Sequence, residues 1–288
     1  SETKPSVSSC HILLDSLQKI CLMHGIEVDY YKKLFQTAGN IIELIEKDDI
    51  PKYLLFLENV FPYMDNYNYQ KGMKEIIQEL KNFLKPKDIG TDSDRALLLD
   101  FQATLEIKPE KAMKLEKDAL ALITEITEDN AHLVSNLHSN LGGLYRMNGY
   151  PDLAMEHMEK GLFLLEQYNL LYTHDGIPQA TNYAMFLTEQ QAPEKGISVL
   201  QKLSKGIKEY NSDCCLDYAT VQETLATIYL MTANLPQAKT HFKRACKIYE
   251  KIWADEPEMI EKKYLEIQEL YPQVGYFLGQ QISNFLTE

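Results

Sequence analysis

The chain has 288 residues, 45% of them apolar and 25% charged, and its 29 Lys and Arg against 42 Asp and Glu leave a net charge of −13. That is the composition of a core-forming protein, and its acidic balance disfavours nucleic acid, whose binders carry a basic footprint. No run nears the ~18 apolar residues of a membrane span, and the opening Ser1-Glu2-Thr3-Lys4-Pro5 lacks an apolar signal core.

A cytoplasmic chain with neither a membrane nor a nucleic-acid partner is therefore expected, and the start at Ser1 predicts a processed chain or a piece of a longer one. The 13 Gly and 11 Pro make up about 8% of the residues, below the ~12% of average usage, which favours helices. Cys10, Cys21, Cys214, Cys215 and Cys246 are odd in number and fall mostly in helical patterns, as reduced thiols do. No second Cys or His pair stands at zinc spacing from Cys214-Cys215, so no metal is expected.

In chain order, residues 1–90 predict divergent helical repeats. Cys10 to Glu46 has the pattern of a helix pair, with Asp29 capping a helix from Tyr30, and Gly72 stands at a shifted small-residue position. Lys85 to Ser93 resembles a joint. Residues 91–255 then repeat themselves. Leu141-Gly142-Gly143-Leu144-Tyr145 leads to Gly149, Tyr150 and Ala154. Tyr183-Ala184-Met185-Phe186-Leu187 leads to Gly196, Leu200 and Leu203, and Leu225-Ala226-Thr227-Ile228-Tyr229 leads to Ala238, Phe242 and Ala245. Successive copies are 42 residues apart. Each reads as a helix, a break near Gly149, Gln191 or Ala233, and an antiparallel helix. Gly142, Ala184 and Ala226 in the first helices, and Ala154, Gly196 and Ala238 in the second, are predicted to let the hairpins close.

Pro51, Pro109, Pro151, Pro193, Pro236 and Pro272 fall at or near predicted helix starts, where a missing N–H costs nothing. The same step places small residues at Ala112 and Ala119 and a turn at Gly275. It meets departures at Asp100, Leu203 and Gln280. Residues 256–288 predict capping helices, and the whole reads as one continuous array of about seven pairs.

The pattern Leu-Gly/Ala-x-x-Tyr, turn, Ala-x-x-x-Phe-x-x-Ala resembles the tetratricopeptide repeat (TPR), whose standard unit has 34 residues. The eight extra residues here add about one turn to each helix, and Glu166, Lys208 and Glu250 replace the proline that usually ends the second helix. A 42-residue unit resembles the kinesin-light-chain type, common in bacterial signalling proteins. The resemblance implies an all-α solenoid, a right-handed superhelix of antiparallel helix pairs, with no catalytic residues, no cofactor and a concave groove for a peptide or protein.

Motifs for other chemistry are absent: no phosphate loop, no His-Glu-x-x-His and no Gly-x-Ser-x-Gly. The seven histidines are scattered, and Asp48-Asp49 and Asp92-x-Asp94 suit helix caps. In arrays of this kind the first helices line the groove and asparagines before the Leu-Gly/Ala pair hold ligand backbone. The resemblance therefore gives this role to Asn140 and Asn182, whose carboxamides offer both donor and acceptor. The same face is expected to present Asn136, Ser139, Gly143, Arg146 and Met147, then Thr181, Met185 and Glu189, then Glu223, Thr227 and Met231, with Arg146 suited to a carboxylate.

Lys239, Lys243, Lys247 and Lys251 recur every four residues as a basic face, expected to be solvated unless it holds an acidic partner. The functional expectation is a peptide- or protein-binding scaffold, the sensor region of a larger bacterial signalling ATPase or regulator. The receptor half of a peptide-pheromone regulator is the alternative. An enzyme on a solenoid frame is the third reading, with nothing at catalytic spacing behind it.

Overall fold

The computed structural model describes residues 90–173, 176–210 and 212–270, with scattered helical positions between 50 and 82. The expectations at Cys10 to Glu46, Asp48-Asp49, Pro51, Gly72, Lys85 to Ile89, Pro272, Gly275 and Gln280 lie outside the described residues. Within them the chain is helical and has no strand: α1 Asp92–Thr104, α2 Pro109–Leu122, α3 Ala131–Met147, α4 Pro151–Gln167, α5 Gly176–Glu189, α6 Pro193–Tyr210, α7 Leu216–Met231, α8 Leu235–Ile252 and α9 Pro257–Leu270. Two compact units divide the chain, Ser1–Ala154 and Met155–Glu288.

In the first unit α1 opens on a reciprocal cap. The Thr91 N–H donates to Asp94 Oδ2 at 2.6 Å and the Asp94 N–H to Thr91 Oγ1 at 3.1 Å, so Asp94 does serve a helix start. Its apolar stripe packs with α2 and α3 around Ala96, Ala119, Leu133 and Leu137. In the second unit α5, α6, α7, α8 and α9 share one core that includes Ala184, Leu200, Ala226, Phe242, Ala245 and Tyr264.

The turns inside the hairpins carry the period. Gly149, Gln191 and Ala233 all adopt positive φ, of 77°, 62° and 58°. In each case the next N–H reaches five residues back: Tyr150 to Tyr145 O at 3.0 Å, Ala192 to Leu187 O at 2.9 Å and Asn234 to Tyr229 O at 2.7 Å. The companion bonds run from Gly149 to Arg146 O, Gln191 to Thr188 O and Ala233 to Leu230 O. This double set is the Schellman motif, which satisfies the last carbonyls of the first helix and reverses the chain. Small residues then let the helices meet. A Cβ on Gly196 would lie 2.5 Å from Ala184 O, and Ala154, Ala238, Ala112 and Ala119 are buried.

Pro109, Pro151 and Pro193 each open a second helix, and Pro236 is the second residue of α8. With Glu166, Lys208 and Glu250 in place of a terminating proline, α4, α6 and α8 run on to Gln167, Tyr210 and Ile252.

Candidate functional site

The first-helix faces of the two units differ in how their polar groups are used. In the first unit Asn140 is exposed on α3 and its Nδ2 donates to Asp100 Oδ1 on α1 at 2.8 Å. Both residues also hydrogen-bond Glu116 of α2. Glu116 is only 1% exposed, and its Oε2 has no hydrogen-bond partner among the described residues. Burial first, and then the charge and hydrogen bond of Asp100, push Glu116 far above the usual carboxylate range, against a smaller opposing effect of Asn140. Glu116 is therefore protonated at neutral pH and can donate to its neighbour.

The repeat frame explains how odd this is. Asp100 occupies the position of Gly142, Ala184 and Ala226, and Glu116 that of Met158, Leu200 and Phe242. Two carboxyl groups thus stand where other hairpins place a small residue and a large apolar one. The departure at Asp100 was visible in the sequence; Glu116 was missed, although the same 42-residue step reveals it.

Elsewhere on α3, Asn136, Ser139 and Gly143 are half-buried. A Cβ on Gly143 would meet nothing within 4 Å, so the surface is open there. Arg146 and Met147 are exposed in the last turn, Met147 at 82%.

In the second unit Asn182 is exposed on α5, and its side chain makes no hydrogen bond among the described residues. Thr181 and Thr227 are buried, and their hydroxyls return to their own helices, Thr181 to Ile177 O and Pro178 O, Thr227 to Glu223 O at 3.0 Å. Met185 packs against the core, while Glu189 and Met231 are exposed. Glu223 is held on two sides. Tyr249 Oη donates to it at 2.7 Å and Lys263 Nζ reaches it at 3.1 Å, tying α7 to α8 and α9. Burial and Glu223 together raise the Tyr249 pKa.

A second polar knot lies behind this face, with no signal in the sequence motifs. Gln222 is fully buried; its Nε2 donates to Ser204 Oγ at 3.0 Å, and its Oε1 accepts from Arg244 Nη1 at 3.1 Å and from His241 Nδ1 at 2.9 Å. Because an amide oxygen only accepts, the imidazole proton sits on Nδ1. Burial and Arg244 lower the His241 pKa and keep the ring neutral, stacked on Tyr229 with centroids 5.4 Å apart. On α8, Lys243, Lys247 and Lys251 are exposed and make no ion pair among the described residues, while Lys239 is half-buried.

Among the described residues no three His, Cys, Asp or Glu side chains gather as a metal site, and no helix is long and apolar enough to cross a membrane.

No family model and no curated protein matches the chain. Solved structures do. A putative kinesin light chain of Podosopora anserina with nearly identical TPR-like repeats is 14% identical at a TM-score of 0.54, over 69% of this chain and 96% of that one. BtubC (BKLC) from P. vanneervenii is 16% identical at 0.50, over 88% and 87%. A Rap protein complexed with Competence and Sporulation Factor is 15% identical at 0.57, over 96% of this chain and 74% of that one. At such identities the backbone is what is shared: the chain has the all-α solenoid fold of TPR-like repeat proteins.

Proposed function

We propose that the chain is a non-enzymatic scaffold whose first-helix faces bind a peptide or protein segment, as the sensor or interaction region of a larger signalling or regulatory protein. The observation that carries this reading is the exposed carboxamide of Asn182 on α5, which has no partner among the described residues. Asn140 supports it in the first unit. Its amide hydrogens are spent on Asp100 and Glu116, so the side chain is fixed and its carbonyl oxygen remains to accept from a ligand N–H. Arg146 is assigned to a ligand carboxylate, for which its planar fork suits.

The non-enzymatic reading rests on how the titratable groups are engaged. His241 is held by Gln222, and Glu223 by Tyr249 and Lys263, bonds that hold helices together.

The test is a set of linear peptides selected from a random library on the intact chain, with affinities read by fluorescence anisotropy. Asn140→Ala and Asn182→Ala are each expected to weaken binding roughly threefold to tenfold whatever the peptide's side chains, as loss of one main-chain hydrogen bond does. Unchanged affinity in both variants would remove the asparagines from the site. A second reading, the receptor part for a short signalling peptide, draws on the Rap structure solved with a factor bound. It predicts that short linear peptides bind as tightly as the same segments displayed on folded proteins.

A further inference from the structure

The second unit holds a cleft away from Asn182, built by the second helices. A cavity of about 520 Å³ lies between the end of α4, the chain through Tyr172 and Thr173, and α6. A neighbouring one of about 310 Å³ reaches Phe163 on α4, Tyr183 on α5 and Val199 on α6. Glu166, Leu171 and Lys202 line both, and Glu166 and Lys202 pair at 2.6 Å. Tyr183 follows Asn182 on α5 and is turned about 100° from it, so this is a different face.

The rings are set deliberately. A Cβ on Gly206 would fall 2.0 Å from the Tyr172 ring, so only glycine lets that ring lie on α6. One turn later Tyr210 stacks on Tyr172 with centroids 5.0 Å apart and 18° between planes. One face of Tyr210 is thereby used, yet the residue remains 72% exposed, and Phe163 is 64% exposed. Neither the Tyr172 and Tyr210 hydroxyls nor the Asn169 amide has a hydrogen-bond partner among the described residues. Exposed aromatic rings beside solvent-facing polar groups that no protein group engages among the described residues, in a concave surface, are the makings of a recognition site.

Charge and spacing select the occupant. Glu159 and Glu166 outnumber Lys202 in the lining, which disfavours a polyanion, and the ion pair between the two cavities interrupts any continuous apolar face for a lipid surface. What fits is a chain with two apolar groups separated by a polar link. We propose that this cleft docks an uncharged extended segment of a partner protein. An aromatic side chain stacks near Tyr210, the next apolar side chain covers Phe163, and the peptide group between them bonds Lys202 and Glu166.

The test is a titration of the full chain with N-acetyl-Trp-Leu-amide, N-acetyl-Gly-Gly-amide and indole, read by amide chemical shifts. Expected are saturable shifts at Val199, Gly206 and Tyr210, and a dipeptide affinity about tenfold tighter than that of indole. Tyr210→Ala and Phe163→Ala, both exposed and so compatible with folding, are each expected to weaken the dipeptide at least about threefold. In Asn182→Ala the shifts at Val199, Gly206 and Tyr210 are expected to saturate at the same dipeptide concentration as in the parent chain, which separates this cleft from the first-helix face. Binding of the Gly-Gly amide as tight as the Trp-Leu amide, indole as tight as the dipeptide, insensitivity to both ring variants, loss of the shifts at Val199, Gly206 and Tyr210 in Asn182→Ala, or no saturable shift would each overturn the proposal.

Discussion

The α7–α8 hairpin and the α1–α2 hairpin fill the same two positions with opposite chemistry. In the former, Ala226 and Phe242 are both buried and apolar, so closure removes hydrocarbon from water with no polar group to satisfy. In the latter, Asp100 and Glu116 put two carboxyl groups there, one of them with a buried oxygen that finds no partner among the described residues. The hairpin still forms, with Pro109 opening α2 and the small residues Ala112 and Ala119 buried along it. What changes is what the interior does. A buried carboxyl pair costs desolvation that its hydrogen bonds only partly offset, and through Asn140 it binds a third helix into one polar unit.

That contrast can be broken most forcefully at its apolar end. Phe242→Ala should cost about 3–5 kcal/mol, read as a lower urea midpoint, because the cavity it leaves is enclosed on all sides. At the polar end the sign reverses: Asp100→Ala combined with Glu116→Leu, which imitates the Ala184 and Leu200 hairpin, should raise stability by about 1–4 kcal/mol. A loss in the double variant would mean the pair holds the hairpin together.

Glu116→Gln sharpens the comparison through pH. Glu116 keeps its proton in the folded chain where the unfolded chain has already released it. Its contribution is thus complete below the unfolded carboxyl pKa, near ~4.3, and is lost as pH rises towards its raised folded value. The variant's advantage over the parent chain should widen from pH 5 to pH 8; an equal difference at both would refute the assignment. Smallest are the turns. Gln191→Gly and Ala233→Gly should each add about 0.5–1 kcal/mol, and Gly149→Ala should remove about 1 kcal/mol, since all three positions need a left-handed backbone.

Much of this frame could be read from the residues. The turns at Gly149, Gln191 and Ala233 emerged from spacing, although glutamine and alanine give no chemical hint of positive φ; the register required it. The face assignments of Thr181 and Thr227 fared differently. A threonine inside a helix can bond its own preceding carbonyl, and both do. Glu223 looked equally available because the groups that hold it, Tyr249 and Lys263, come from later helices that no local pattern connects to it. Glu116 was hidden by its type, as an acid in an amphipathic helix reads as surface.

The turns also govern where this chain can tolerate change in length. Three residues link the helices in each of the hairpins α3–α4, α5–α6 and α7–α8, whereas eight separate α4 from α5 and five separate α6 from α7. The eight-residue joint itself begins on such a turn, with Asn169 at φ 58°, its N–H donating to Glu166 O and the Leu170 N–H to Leu165 O at 2.7 Å, so insertions and deletions belong in the five-residue joint, where no doubly bonded turn is present among the described residues. The eight-residue joint contributes Asn169, Leu171, Tyr172 and Thr173 to the wall of the cleft. The longer joint is thus fixed in path by its first turn and yet supplies side chains to a cavity, so its composition can reshape that wall while the helices on either side stay as they are.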